Sequence, residues 1–335
     1  MLAADPQDRR KNMHIMIIGG AGMLGRKVAA KLARDGELGG KPVTALTLVD
    51  VFQPAAPEGF TGVLRLERRD LSQPGVAEEL VALRPDVILH LAAIVSSEAE
   101  ADFEKGYAIN LDGTRALFEA IRLAGDDYCP RVVFTSSLAV FGAPLPDPIG
   151  DDHILTPLTS YGTQKAIGEL LLADYSRRGF FDGIGIRLPT ICIRPGRPNR
   201  AASGFFSNIL REPLKGEPAV LPVDRSIRHW FASPEAAAGF ILHAAALDSA
   251  ALGDRRNLTL PGVCVSVAEQ IEALRRVAGD EAVALIRDEP DPAIARIIES
   301  WPRSFDTRRA NELGFKADAS MDEIIRLHLQ SETAE

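Results

Sequence analysis

The stretch HIMIIGGAGMLGRKVAAKL, His14 to Leu32, sets four glycines within seven residues between an apolar run and a segment of helical spacing. A solvent loop needs no apolar run before it, and a packed turn needs fewer residues without side chains. Two fingerprints fit together. Gly20, Gly22 and Gly25 make G-x-G-x-x-G, and Gly19, Gly22 and Gly25 make G-x-x-G-x-x-G. In either, the glycines end a strand, admit a phosphate close to the backbone and let the next helix pack on the sheet. The start of that helix, with Met23 and Leu24, offers free N–H groups and the positive end of its dipole to an anion. A ligand-free glycine turn shares the composition; the position between strand and helix points to a dinucleotide pyrophosphate.

The rest of the first half keeps that alternation. IMIIG, ALTLVD, DVILHLAA and RVVFTSS read as short apolar strands, and 24–34, 76–83, 103–123 and 161–178 have helical spacing. Near-continuous apolar strands separated by helices predict a parallel sheet covered on both faces. Right-handed crossovers then give an α/β fold, a Rossmann-type doubly wound sheet. The second half is less regular, with helical spacing at 204–210, 267–277 and 321–329 and a strand and turn in RNLTLPG. The expected organisation is a dinucleotide-binding domain over 13–185 and a smaller α+β substrate-binding domain over 186–330. A stretch near 226–246 is expected to pack back on the first domain, and 1–12 to be a disordered extension.

Composition removes other classes. The net charge of −8 disfavours nonspecific nucleic-acid binding. No apolar run approaches membrane-span length, and the polar N-terminus has no signal-peptide core. Cys129, Cys192 and Cys264 stand far apart, which fits a reducing, cytoplasmic setting and no structural metal.

Asp50 closes LTLVD. A carboxylate there accepts hydrogen bonds from both adenosine ribose hydroxyls and repels a 2′-phosphate, and Val51 and Phe52 supply no cation to hold one. NAD is therefore expected rather than NADP. Tyr161 and Lys165 in SYGTQKA lie four apart, on one face at the start of a helix. A free phenol, with pKa near ~10, is a poor base at neutral pH, and a neighbouring ammonium lowers that value. Alone, the pair would read as an ordinary surface pair.

Gly19–Gly25, Asp50, HLAA at His90–Ala93, Asn110, TSSLAVFG and the Tyr161/Lys165 pair follow in order. In that set, covering 13–195, the chain resembles the extended short-chain dehydrogenases/reductases, the family of NAD-dependent epimerases and dehydratases. The resemblance implies that Asp70 and Leu71 flank adenine and that Leu91, Ala92 and Ala93 line the cofactor. It implies that Asn110 orders the active-site helix, that Ser137 is the catalytic serine, Tyr161 the acid/base, and that Pro189 lies near the nicotinamide. His90 reads as a core strand residue. Ser137-Leu138-Ala139 stands where the family's dehydratases have Thr-Asp-Glu, and Leu and Ala supply no acid or base for elimination.

RHWFASPEAA from Arg228 departs from the epimerase pattern. Together with DGIGIRLPTICIRPGRPN and GELGGKPVTALTLVDV it resembles the branch of D-erythronate dehydrogenases. That implies NAD-dependent oxidation of the C2 hydroxyl of a four-carbon sugar acid. A carboxylate substrate needs a cation, for which bidentate Arg is the usual solution. Arg228 is the first choice, with Arg197 and Arg200 as further candidates. Ser96, Ser97 and Thr190 are candidates for the substrate hydroxyls. The resembled family also implies a homodimer through the helices at 110–124 and 161–178. A sugar-nucleotide 4-epimerase and a non-catalytic NAD(P)-sensing regulator are the alternatives.

Overall fold

Burial follows sequence from the first strand: Ile15, Met16, Ile17 and Ile18 of MHIMII are all 2% exposed or less. The computed structural model describes residues 12–196 and 203–333, so the extension expected at 1–12 lies, Asn12 apart, outside the described residues. Arg197 and Arg200 also lie outside them. The ordered elements begin with β1 (Met13–Ile18), α1 (Met23–Asp35), β2 (Glu37–Leu38), β3 (Lys41–Asp50), β4 (Val63–Arg68), α2 (Val76–Val81) and β5 (Val87–His90). They continue with α3 (Ser96–Ala101), α4 (Phe103–Tyr107), a π turn (Ala108–Asp112), α5 (Gly113–Leu123), β6 (Arg131–Ser137), α6 (Ser160–Arg177) and β7 (Asp182–Leu188). After these come β8 (Thr190–Ile191), α7 (Gly204–Leu214), β9 (Ala219–Leu221), β10 (Arg228–Ala232), α8 (Pro234–Ala246) and β11 (Asn257–Thr259). The last are β12 (Val263–Ser266), α9 (Val267–Val283), β13 (Ile286–Asp288), α10 (Pro292–Glu299), α11 (Arg308–Glu312) and α12 (Met321–Thr333).

The chain forms two compact units. The first takes the described residues up to Ser136, then Thr163–Arg187 and Ala238–Leu258. It is built on a sheet of order β11-β7-β6-β5-β1-β3-β2, with β4 also paired to β3. β1 runs parallel to both β3 and β5, β5 to β6, and β3 to β4. This is the expected Rossmann-type α/β arrangement, and non-consecutive neighbours mean that helices carry the crossovers. α1 buries Val28, Ala29 and Leu32 and ends at Gly36, whose N–H returns to the Leu32 carbonyl. The core gathers Met16, Ile88, Val132 and Phe134 from the strands with Leu117, Phe118, Ile121 and Leu172 from the helices.

Two expectations differ in detail. The helix expected over 103–123 is interrupted, because a π turn takes up one residue at Ala108–Asp112 and turns Asn110 to 1% exposure. β4 escapes the sequence reading because VLRLER is an edge strand with no fully buried position.

The second unit takes Ser137–Gly162, Leu188–Ala237 and Thr259–Glu335, in their described parts. It holds a three-stranded sheet, β12-β10-β8, and a pair, β13-β9. β8 runs parallel to β10 with Thr190 opposite Phe231, and β10 antiparallel to β12. Phe205, Phe206, Ile209, Phe231, Ile271, Leu274 and Ile324 pack as its core. α9 starts with a capping box between Ser266 and Glu269, a device worth about 1 kcal/mol.

Candidate active site

In the first unit the glycine turn is held from three sides. The N–H groups of Gly19 and Gly20 donate to the Val49 carbonyl, that of Ala21 donates to Asp50 Oδ2 at 3.0 Å, and those of Leu91 and Ala92 donate to the Ile18 carbonyl. Gly19 has φ +98°, and a Cβ there would stand 2.8 Å from the Ala92 nitrogen; a Cβ on Gly25 would stand 2.1 Å from the Gly19 oxygen. A Cβ on Gly20 would stand 2.9 Å from Leu48 Cβ, so both readings of the motif keep their glycines, with Gly19 further required by its positive φ. Gly22 is exposed and starts α1 without a side-chain cap, and no acidic residue lies in the first turn. The N–H groups of that turn have no intrahelical acceptor, so an anion suits them.

Asp50 is tied to this turn. Besides the bond from Ala21, its Oδ1 accepts from the Phe52 N–H at 3.1 Å. Each oxygen keeps a lone pair, so the carboxylate can still accept from a diol. Asp70 Oδ1 accepts from the N–H and hydroxyl of Ser72, and Leu71 is only 7% exposed, packed in the core. Leu91, Ala92 and Ala93 are half-buried after β5, and Ser96 and Ser97 half-buried at the start of α3. This donor set fits a dinucleotide: a backbone cradle for the diphosphate and a carboxylate at the end of the adjoining strand.

A second cluster of the first unit surrounds Asn110. Its Oδ1 accepts from the Ile94 N–H at 2.9 Å; its Nδ2 donates to the Ile94 carbonyl at 3.1 Å and to Gln164 Oε1 at 2.8 Å. Asn110 therefore joins the loop after β5 to α6, and its side chain is consumed in doing so. Its carbonyl accepts from the Thr114 hydroxyl, whose oxygen is 2.8 Å from His90 Nε2. Since Thr114 gives its only proton to Asn110, His90 donates from Nε2. Burial and the Lys165 charge push the His90 pKa down to about 3, so the ring is neutral, in keeping with a core role.

Lys165 is 2% exposed, donates to the Thr135 carbonyl at 2.8 Å and stands 4.7 Å over the Phe134 ring. Burial lowers its pKa to about 7, and the Glu169 carboxylate opposes that fall. One turn further along α6, Glu169 accepts from Ser136 at 2.5 Å and pairs with Arg187 at 2.8 Å, both partners nearly fully buried.

In the second unit, Ser137 Oγ accepts from the Ala139 N–H at 3.2 Å and is hydrogen-bonded to the Tyr161 phenol. Burial raises the Tyr161 pKa above its ordinary value; the Ser137 bond and the positive charge of Arg194 pull it down. Arg194, which the sequence reading passed over, is thus a cation acting on the phenol. Nothing in CIRPG separates a buried arginine from a solvated one.

Thr190 Oγ1 lies 2.6 Å from His229 Nε2, and Pro189 is buried beside it in the chain. Arg228 is at the exposed start of β10, with Nη2 3.1 Å from Cys264 Sγ and Nη1 3.6 Å from Asp147. Its charge faces the Asp147 carboxylate across a half-exposed pair. Among the described residues no His, Cys, Asp and Glu side chains gather as a metal site, and no helix is long and apolar enough to cross a membrane.

The chain matches the model of the NAD dependent epimerase/dehydratase family over residues 15–258. It is 47% identical to the D-erythronate dehydrogenase of Cupriavidus necator over 95% of this chain and 98% of that one. Identity to the D-erythronate dehydrogenase of Haemophilus influenzae is 42%, over 95% of this chain and 99% of that one. A crystal structure from Agrobacterium tumefaciens, described as a nucleoside-diphosphate-sugar epimerase, is 66% identical with a TM-score of 0.94, covering 96% of this chain and 95% of that one.

Proposed function

Because the chain belongs to the NAD-dependent epimerase/dehydratase family, we propose that it oxidises the C2 hydroxyl of a four-carbon sugar acid such as D-erythronate to the 2-oxo acid. The observation that carries this reading is the identity of 42–47% to two D-erythronate dehydrogenases along almost the entire length of all three chains. The chain is an NAD-dependent oxidoreductase acting on CH–OH, and bound NAD+ supplies the acceptor for the hydride that leaves C2.

The side chains divide the remaining work. Gly19, Gly22, Gly25 and the first turn of α1, with Met23 and Leu24, hold the diphosphate. Asp50 accepts from the adenosine ribose, Asp70 and Leu71 border the adenine, Leu91–Ala93 line the dinucleotide, and Pro189 adjoins the nicotinamide end. Ser137 and Tyr161 bond the C2 hydroxyl, and Tyr161 takes its proton as the C–H bond breaks. Lys165 lies one helical turn from Tyr161 on α6 and carries the charge that favours the phenolate when the cofactor is in place. Positioned proton transfer contributes about 10²–10⁴-fold. Asn110 acts on position alone, by fixing the loop after β5 against α6.

A sugar nucleotide is the second reading, favoured by the description of the Agrobacterium protein. The test is to incubate the protein with NAD+ and C3 to C6 sugar acids or UDP-sugars and to follow NADH. NADH accumulating with D-erythronate, and not with Tyr161→Phe, is the expected result. Interconversion of UDP-sugars without accumulated NADH would replace it with epimerisation.

The protein is proposed to work in the cytoplasm as a homodimer through α5 and α6. Leu123 and Leu170 on these helices are 67% and 66% exposed, an apolar area that a partner would cover. Leu170→Glu is expected to halve the mass in sedimentation; a wild-type monomer would end the proposal.

A further inference from the structure

Three features of the second unit converge on one side chain. Arg194 is locked at its base: its N–H donates to Ser207 Oγ at 3.1 Å, its carbonyl accepts from Arg211 Nη1 at 2.6 Å, and its Nε donates to the Ile191 carbonyl at 3.2 Å. Its guanidinium is largely withdrawn from water, yet among the described residues no carboxylate pairs with it. It stands near enough to Tyr161 for each charge to act on the other. A cation taken out of water without a counter-ion is costly, and that cost falls when an anion arrives. Of the arginines named from the sequence for this role, Arg228 faces Asp147 and Cys264, and Arg197 and Arg200 lie outside the described residues; nearby Arg211 is engaged by Glu212 and the Arg194 carbonyl.

Thr190 directly precedes Ile191, whose carbonyl holds the Arg194 Nε. His229, stacked on Phe206 at 4.8 Å, donates one ring nitrogen to the Pro302 carbonyl, so its Nε2 accepts. Thr190 therefore gives its only proton to His229 and meets a ligand with lone pairs alone.

We infer that Arg194 is the substrate-holding cation, gripping the carboxylate of the sugar acid with its two terminal nitrogens, and that Thr190 accepts from a hydroxyl of the same molecule. The inference rests on the sugar-acid reading above and names the residues that make the enzyme prefer an acid. Its geometry is a locked guanidinium fork, the arrangement that suits a planar carboxylate. Arg211 acts on position, by holding the backbone from which Arg194 projects.

The experiment uses D-erythronate, its neutral amide D-erythronamide, and the complex of the full chain with NADH, in which no reaction runs. Binding is read from NADH fluorescence. Wild type is expected to hold D-erythronate tightly and the amide about 100-fold more weakly. Arg194→Gln is expected to lose about 100-fold in D-erythronate affinity with the amide little changed, so that the preference collapses. Arg194→Lys restores part of it, and NADH affinity stays at the wild-type value in both. A general structural role would weaken acid and amide together. If Arg194→Gln binds NADH normally and still prefers the acid, the inference is overturned while sugar-acid oxidation stands. If wild type fails to oxidise any sugar acid yet binds D-erythronate in an Arg194-dependent manner, the anion site stands and the assigned reaction falls.

Discussion

The glycine turn and the Tyr161 neighbourhood solve different problems with different materials. The turn is made of backbone from one contiguous segment and two strand ends, and its specificity comes from absent side chains. The Tyr161 neighbourhood is made of side chains from β6, α6 and the Arg194 loop, joined by partners distant in sequence, Ser137 with Tyr161 and Arg194 with Ser207. A phosphate asks for N–H groups that any residue can supply, so the first arrangement can be short and local. A small chiral acid asks for a base, a cation and an acceptor at separate points, so the second cannot be.

Substitutions sharpen that contrast, and the largest effect belongs to the side-chain region. Tyr161→Phe is expected to lower kcat about 10³-fold while leaving the NADH dissociation constant within about twofold. A comparable loss of NADH binding would mean that the phenol serves the cofactor. Next comes the buried pair beneath Lys165. Glu169→Gln leaves Arg187 buried without its charge partner and is expected to cost about 3–5 kcal/mol of stability, read from denaturant midpoints. An unchanged midpoint would show that water reaches that pair.

Asp50→Ala tests the backbone region. It removes the acceptor for the ribose and for the Ala21 N–H, and is expected to weaken NAD about 10–100-fold with kcat nearly unchanged. A fall in kcat instead would erase the distinction between the two regions. The effect that is smallest at neutral pH is a slope. His90 is held at about 3, below its unfolded value near 6.5, so the unfolded chain binds the extra proton between those pH values. Stability from this group is present above pH 6.5 and is lost as pH falls towards 3. His90→Asn is expected to flatten the stability–pH line in that window by about 1.4 kcal/mol per pH unit. Unaltered steepness would place the acid sensitivity elsewhere, with His229 at about 4 the next to try.

The contrast also explains what could be read in advance. RVVFTSS coincides with β6, the 161–178 helix is displaced by one residue from α6, and the glycine motif sits where strand meets helix. These are local matters of periodicity and backbone. The weakly patterned β4 was missed because an edge strand with polar alternate positions has little apolar signal. Arg194 was missed for a different reason. Its significance lies in lacking an acid among the described residues and in its nearness to Tyr161, and neither property is written in the letters around it. Arg228 ranks first in the sequence for its place in the RHWFASPEAA segment, and the structure sets Asp147 and Cys264 against it.

The π turn at Ala108–Asp112 has a consequence for how this gene can change. It is one residue longer than a regular helix needs, and that surplus lets Asn110 reach the Ile94 amide and Gln164. Deleting any single residue there would restore a smooth helix and rotate everything on one side of the cut by about 100°. Point changes on its outer surface can accumulate; changes in length cannot. Among descendants of this chain, spelling in that stretch is free to drift while its letter count stays frozen.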